Sequence, residues 1–385
     1  MPCQSNYKRR FLPLFFPTLI ILSGFLRGSF SSPEPFDPPS NPSPRLNPSD
    51  SKMIQDLTTS GGGGSNGGNS STETPTIVRN FRQAAGIANV FRCASTDELG
   101  AIASIADARI KIASPTDQFV WKHAGCILDL RSSNERNELH AQNWMTNAPG
   151  PTLRVIEDHQ DYTPSFNDNS HPHNHRDDER VVVRVNVLSP NQVLSYIEAS
   201  WLDAVKKARA GRFRRVGDEK GLHELLIDEL NKRGLAGLNE IILETGKTSL
   251  CKALRTITLF LEGHPNSSVL IHCVQGKDRT GMLVMLLQSI LGVTDETIVE
   301  DYCLSNIMLE GQMQYSSAAA DQIRRPGRID RNFLTGANRP AMETTLSFLR
   351  NKYGSVSPGY LDAIGFDRSW RARLSIVLNT QLSRL

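Results

Sequence analysis

The stretch LIHCVQGKDRTG, residues 270–281, decides how the rest of the chain is read. An apolar run, a short loop containing glycine and a second apolar run predict strand, turn and helix. SSVLIH (residues 267–272) is then a buried strand and Thr280 to Leu291 a helix. The loop between them holds Cys273, Val274, Gln275, Gly276, Lys277, Asp278, Arg279, Thr280 and Gly281. Backbone N–H groups of residues 274–279 can converge there on one point and form a nest for an anion. A helix N-terminus just beyond adds partial positive charge. A thiol at position 273 is expected to ionise readily in such a setting, with His272 either positioning the cysteine backbone or hydrogen bonding behind it.

Arg279 follows Cys273 by six positions. Its planar guanidinium can hold two oxygens of a tetrahedral dianion at once, which a lysine cannot do. The same fork can follow the equatorial oxygens as phosphorus becomes trigonal-bipyramidal, so it favours the transition state. The residues therefore suit in-line attack by Cys273 on phosphorus and hydrolysis of the resulting cysteinyl-phosphate. Gly276 and Gly281 let the backbone turn tightly, Thr280 offers a hydroxyl to the departing thiolate, and Lys277 is expected to point a further cation at the mouth. C-x5-R alone is a loose pattern. The strand before it, the histidine before the cysteine, the glycine three places after and the Thr-Gly after the arginine make it specific.

Working outward, the 385 residues carry a net charge of only +3 and a pI near 8.5, too mild to argue for a nucleic-acid partner. Six scattered cysteines contain no CxxC pair, so neither a zinc site nor a disulfide framework is expected. Lys8, Arg9 and Arg10 precede an apolar run, Phe11 to Leu26, interrupted by Pro13 and Pro17. That pattern predicts a signal or targeting segment over residues 1–30, implying the secretory pathway, an organelle or the exterior, with a membrane anchor as the alternative. Residues 31–74 hold seven prolines and then SGGGGSNGGNSSTE, a composition that predicts a disordered tether. The catalytic body is expected over 75–385.

Within that body a helix is expected over Glu98–Lys111, strands over 125–130 and 181–187, and helices over 190–210, 219–233 and 247–262. After the loop, helices are expected at 294–304, 340–353 and 367–383, with Thr294 as a cap. Few strands separated by helices predict an α/β fold with a small, mostly parallel central sheet, and extra helices inserted before the catalytic strand. His171, His173 and His175 alternate in a Pro/Asn/Asp-rich loop and read as solvated rather than metal-binding. GKTS (246–249) is not a nucleotide loop, because Ile241 stands where that pattern needs glycine. The basic stretch KKARAGRFRRVGDEKG (206–221) reads as a solvated helix end or, alternatively, as a patch facing an anionic membrane.

HCVQGKDRTG resembles the HCxxGKDRTG signature of the atypical protein tyrosine phosphatase family, whose members act on phosphotyrosine and often on phosphoinositides. VRNFRQAAG (78–86), VFRCAS (90–95), ILDLRSSNE (127–135), IVEDYCLSN (298–306) and the segment 338–365 resemble the family's other motifs, in the same order. The resemblance implies Cys273 as nucleophile, Arg279 as phosphate clamp and Lys277 as a headgroup contact. Asp278 is the best candidate general acid; Asp301 reads as a helix-surface residue or a support behind the site, with the acid as its alternative role. Asp129 and Arg131 either line the pocket or form a structural salt bridge. The chain departs from the family at Gln83-Ala84-Ala85, where Asp-Leu-Gly is usual. The resemblance implies a phosphotyrosine-bearing protein or a phosphoinositide as substrate and no cofactor or metal. The rivals are a phosphate-binding adaptor without turnover and a sulfur-transfer enzyme of rhodanese type.

Overall fold

The structure, a computed structural model, describes residues 77–99, 114–122, 124–136, 153–164, 180–309, 327–330 and 336–382, all within the compact unit Pro42–Leu385. The expected leader and tether, the His171–His175 loop and all but the first turn of the Glu98–Lys111 helix lie outside the described residues. Six strands form one sheet: β1 Arg82–Gln83, β2 Val90–Cys93, β3 Ala124–Asp129, β4 Leu153–Ile156, β5 Arg180–Arg184 and β6 Ser268–His272. Their order is β1-β2-β6-β3-β5-β4. Only the β1–β2 pair is antiparallel; every other neighbour is parallel. The expected α/β fold with a mostly parallel sheet, that of the cysteine phosphatases, is therefore the observed one.

β6 lies inside the sheet, between β2 and β3, and all five of its residues are buried. A strand covered on both faces cannot alternate with polar residues, which is why SVLIH reads as a continuous apolar run. Val269, Ile271 and Cys273 join the larger core on one side, and Leu270 joins the smaller one on the other. That smaller core packs Phe91, Val120 and Ile127 under α1, Pro115–Lys122. β1, β2, β4 and α1 escape a reading of hydrophobic period, because each is short and carries charged residues such as Arg82, Arg92 and Arg154.

The inserted helices lie between β5 and β6. They are α2 (Pro190–Tyr196, continued by a wide turn over Ile197–Trp201), α3 (Ala204–Val216), α4 (Glu219–Thr245) and α5 (Lys247–Gly263). Two differences from the expected helices have local causes. The 190–210 helix breaks at Leu202, because Asp203 caps a new helix by accepting from Lys206 N. The 219–233 helix continues to Thr245, because Gly234 adopts φ 60° and absorbs a kink without ending the run. After the loop come α6 (Asp278–Ile290), α7 (Asp295–Met308, capped by Thr294), α8 (Arg339–Tyr353) and α9 (Arg368–Leu382).

Because β2, β6, β3, β5 and β4 run in parallel, their carboxyl ends share one edge of the sheet. Such an edge is where an α/β protein places its chemistry. Cys273 leaves the centre of it. Cys93 to Ser95 emerge on one side, and Leu130 to Arg136 on the other.

Candidate active site

Cys273 is buried, as are Lys277, Arg279 and Thr280. The carbonyls of the loop are held from behind. Ser95 N donates to Val274 O at 2.9 Å. Asn80 Nδ2 donates to Gln275 O at 2.9 Å and to Gly276 O at 3.1 Å. Arg92 Nη2 adds a 2.9 Å bond to Gly276 O. In a trans peptide the N–H points away from the C=O. Pinning the carbonyls of Val274, Gln275 and Gly276 outward therefore turns the N–H groups of Gln275, Gly276 and Lys277 inward, as an anion nest requires.

Gly276 makes this turn possible. Its φ is 66°, and a Cβ there would lie 2.0 Å from Cys93 O. Gly276→Ala is expected to cost at least about 2 kcal/mol, from left-handed strain and forced separation of loop and β2. Urea denaturation measures it; a loss below about 0.5 kcal/mol, no larger than an ordinary surface substitution, contradicts this account of the turn.

The donors behind the loop belong to one buried ionic cluster. Asp301 Oδ1 accepts from Arg82 Nε at 3.0 Å and Asp301 Oδ2 from Arg92 Nη1 at 2.9 Å. Arg82 also donates to Asn80 Oδ1 and to Ser305 Oγ. Burial and the charge of Arg92 bring the pKa of Arg82 down to about 10, so it remains a cation at neutral pH. Burial pushes the Asp301 carboxyl up, but Arg92 and Arg82 outweigh it and hold it below the usual range. Asp301 is thus a clamped anion behind the loop. This is the supporting position expected for Asp301 rather than its alternative as the acid, because a carboxylate fixed between two arginines is held in its charged form.

Arg279 meets Glu135 through two parallel bonds, Nη1 to Oε2 at 2.5 Å and Nη2 to Oε1 at 2.7 Å. Glu135 itself is anchored at the end of a single helical turn, Ser133–Glu135, where its Oε2 accepts from Ser132 N and Ser132 Oγ, both at 2.9 Å. Burial opposes charge on both partners, yet each stabilises the other. Arg279 is held above its ordinary pKa and Glu135 below its own.

Asp129 and Arg131 resolve into the salt bridge that the sequence left open. Arg131 donates to Asp129 through Nε and Nη2, both at 2.9 Å, and reaches Asp97 at 2.8 Å and Ser95 Oγ at 2.9 Å. The pair ties the ends of β2 and β3 together on the two sides of Cys273. Burial raises the Asp129 carboxyl and Arg131 more than offsets it, leaving Asp129 well below the carboxylate range. His272 Nδ1 lies 3.2 Å from Cys273 O. Burial lowers its pKa despite Asp129, so the ring is neutral at pH 7.

Lys277 departs from expectation. It is completely buried rather than at the mouth, with Nζ 2.9 Å from Gly336 O and 3.1 Å from Asp278 Oδ1. A side chain that long reaches inward because Gly336, Asn306 and Ala337 form a polar shelf beside the loop, where Asn306 bonds both N–H and C=O of Ala337. Asp278 opens the first turn of α6 and is partly exposed. Thr280 Oγ1 is buried without a hydrogen-bond partner among the described residues.

Three carboxylates around the loop, buried Asp129 and Asp301 and half-buried Glu135, contribute to the acid stability. Each is held below its ordinary pKa in the folded protein. The unfolded chain therefore takes up protons first on acidification. Stability from these groups is complete above about pH 5 and is lost as pH falls through their folded values. The melting temperature is expected to drop steeply below about pH 4; a profile flat down to about pH 3 would exclude these pairs as a source of stability.

Glu135, Asn80, Ser95, Asp97 and the Arg82–Arg92 pair were not singled out as site residues by the sequence. Their signal was present, since NFR, FRCAS and LRSSNE contain most of them, but those segments lie 140 to 200 positions from the loop.

A loop cysteine at the end of a central parallel strand, an arginine at the helix start and a backbone cradle between them define the cysteine-phosphatase class. A sequence model described as the tyrosine phosphatase family matches residues 115–379, so the chain belongs to that family. It is 34% identical over 117 residues to a tyrosine-protein phosphatase of Nostoc commune, a match covering 29% of this chain and 40% of that protein. It is 46% identical over 52 residues to the triple specificity protein phosphatase PtpB of Mycobacterium tuberculosis, covering 14% of this chain and 18% of the other. The matched part is less than half the length of either relative.

Proposed function

We propose that the protein is a phosphatase that cleaves phosphotyrosine in proteins through a cysteinyl-phosphate on Cys273. The observation that carries this reading is the cradle itself: a buried cysteine, loop N–H groups turned inward, and Arg279 braced by Glu135. The Cys273 thiolate attacks phosphorus, and the P–O bond to the tyrosine oxygen breaks as that oxygen takes a proton from the Asp278 carboxyl. Water then attacks the phosphorus, the P–S bond breaks, and its proton passes to the Asp278 carboxylate. Phosphate leaves and the thiolate is restored. Guanidinium and inward N–H groups match the three equatorial oxygens in both transition states.

Phosphotyrosine ranks before phosphoinositide here. The resemblance implied Lys277 as a headgroup contact, but its Nζ is bonded to Gly336 O and lies beside Asp278. The adaptor reading lacks a substitution to carry it, since Cys273, Asp278 and Arg279 are all present.

The test is phosphate release by the full chain, under reducing conditions, from a phosphotyrosine peptide, a phosphothreonine peptide and a panel of phosphoinositides, with Cys273→Ser as control. Release from phosphotyrosine that vanishes in the variant supports the proposal. Undiminished release by the variant sinks the cysteine route, and a preference for phosphoinositide reverses the ranking. Asp278→Asn separates the acid from the cradle. It is expected to lower turnover of an alkyl phosphate by about 10²–10⁴-fold while sparing p-nitrophenyl phosphate, whose leaving group needs little protonation. Equal losses on both would assign Asp278 a structural role.

A further inference from the structure

We propose that the exposed face of α3 is a docking surface for an anionic lipid bilayer. The surface lies on the inserted helices, outside the residues that make up the catalytic loop, and the inference does not depend on which phosphoester is cleaved.

α3 reads AVKKARAGRFRRV and contains no carboxylate. At 100° per residue, Val205, Ala208, Arg209, Arg212 and Val216 fall on one face, with Arg215 at its border. All six are exposed. The opposite side packs on the inserted core through Ala210, which is buried, and Phe213, which is half-buried. The charges divide along the same line. Arg214 is paired with Glu198 and Lys206 with Glu229, on the packed side. Arg209, Arg212 and Arg215 have no carboxylate partner among the described residues; Arg209 lies over the Phe213 ring and Arg215 Nε bonds Gly211 O. Three uncompensated guanidinium groups on one stripe stand out in a chain whose net charge is only +3.

The apolar residues choose between a lipid surface and other polyanions. Val205 is 79% exposed and Val216 69% exposed, two of four large exposed hydrophobic residues among those described. They stand at the two ends of the arginine stripe, about 17 Å apart along the helix. An acidic peptide or a soluble polyphosphate gains nothing from two isolated valines beyond the charges. A bilayer takes both, since arginines meet its phosphates while small apolar side chains enter the headgroup region. α3 is also held at both ends, by the Asp203 cap and by Gly217 in the left-handed conformation. The backbone of the face is thus preformed, so only side chains are ordered on binding.

The experiment is co-sedimentation of the full chain with phosphatidylcholine vesicles, with and without phosphatidylserine. It compares wild type with Arg209→Gln/Arg212→Gln/Arg215→Gln and with Val205→Ser/Val216→Ser. Every protein retains residues 11–26, so any contribution of that apolar run is common to all three, and differences report α3. A difference between wild type and the variants is expected only with phosphatidylserine and to weaken with salt. Each arginine near an anionic leaflet contributes about fivefold, so the triple variant loses on the order of 100-fold in partition. The valine pair loses roughly fivefold. Urea midpoints of both variants should match wild type, because the changed side chains make no ion pairs. Serine-containing vesicles that bind the triple variant as well as wild type overturn the proposal. So does binding that ignores the valines and is matched by soluble polyglutamate, which would assign the face to an acidic polymer. Should the triple variant fail to fold, the valine pair still decides.

Discussion

Arg279→Lys is expected to lower kcat/KM for a phosphotyrosine peptide by about 10³-fold while leaving the fold intact. The reason lies in how the five N–H donors of the guanidinium are divided. One from each of Nη1 and Nη2 goes to Glu135. Of the three that remain, Nε–H and the adjacent Nη–H form a second fork, suited to two phosphate oxygens. A single group therefore keeps its orientation through one edge and binds through another. An ammonium has no edges: a lysine that reaches Glu135 leaves the phosphate, and one that reaches the phosphate loses its brace. The loss should fall mainly on kcat, because the guanidinium is worth most where charge spreads over equatorial oxygens. Steady-state kinetics with an unchanged urea midpoint checks this. A loss below about tenfold would mean that the loop N–H groups carry the phosphate alone.

Asp301→Ala acts through stability instead. It removes the carboxylate that neutralises Arg82 and Arg92, leaving two guanidinium groups buried without a counter-charge. Breaking a buried pair from one side costs about 3–5 kcal/mol, and here two pairs share the carboxylate. The loop is affected next, because Arg92 also holds Gly276 O and Arg82 holds Asn80. Equilibrium denaturation measures the loss. Where the alanine variant does not fold, Asp301→Asn keeps acceptor and shape while removing the charge, and should lie between the two. If both variants match wild type within about 0.5 kcal/mol, the cluster is not what holds the loop.

The legible and illegible parts of this protein divide by the range of the interactions concerned. SSVLIH, the loop and α6 could be read because strand, turn and helix preferences act over a few residues, and the chemistry of Cys273 and Arg279 is packed into seven positions. Thr294 as a cap was legible for the same reason. The break at Leu202 was present in the chain as Asp203 but masked by the apolar period on both sides. β1, β2 and β4 were missed because a strand of two to four residues has almost no pattern of its own. Each is a strand only because a neighbour supplies its ladder.

The direction of Lys277 is the sharpest case. By composition it is a cation in an anion-binding loop, and the mouth is its natural place. Whether it points out or in depends on Gly336, 59 positions away. The brace on Arg279 is similar. Glu135 was visible as part of LRSSNE, but its role needs β3 and β6 to be neighbours in parallel register, which brings together residues 144 apart. The chain by itself pointed to Cys273 and Arg279 as candidates and carried the α/β class and the family motifs, since these rest on local order along the sequence. Tertiary structure alone decided which charges support the loop, that Asp301 is clamped between two arginines, and which arginines of α3 lack a carboxylate partner among the described residues. Those properties belong to burial and pairing, and neither exists until distant segments meet.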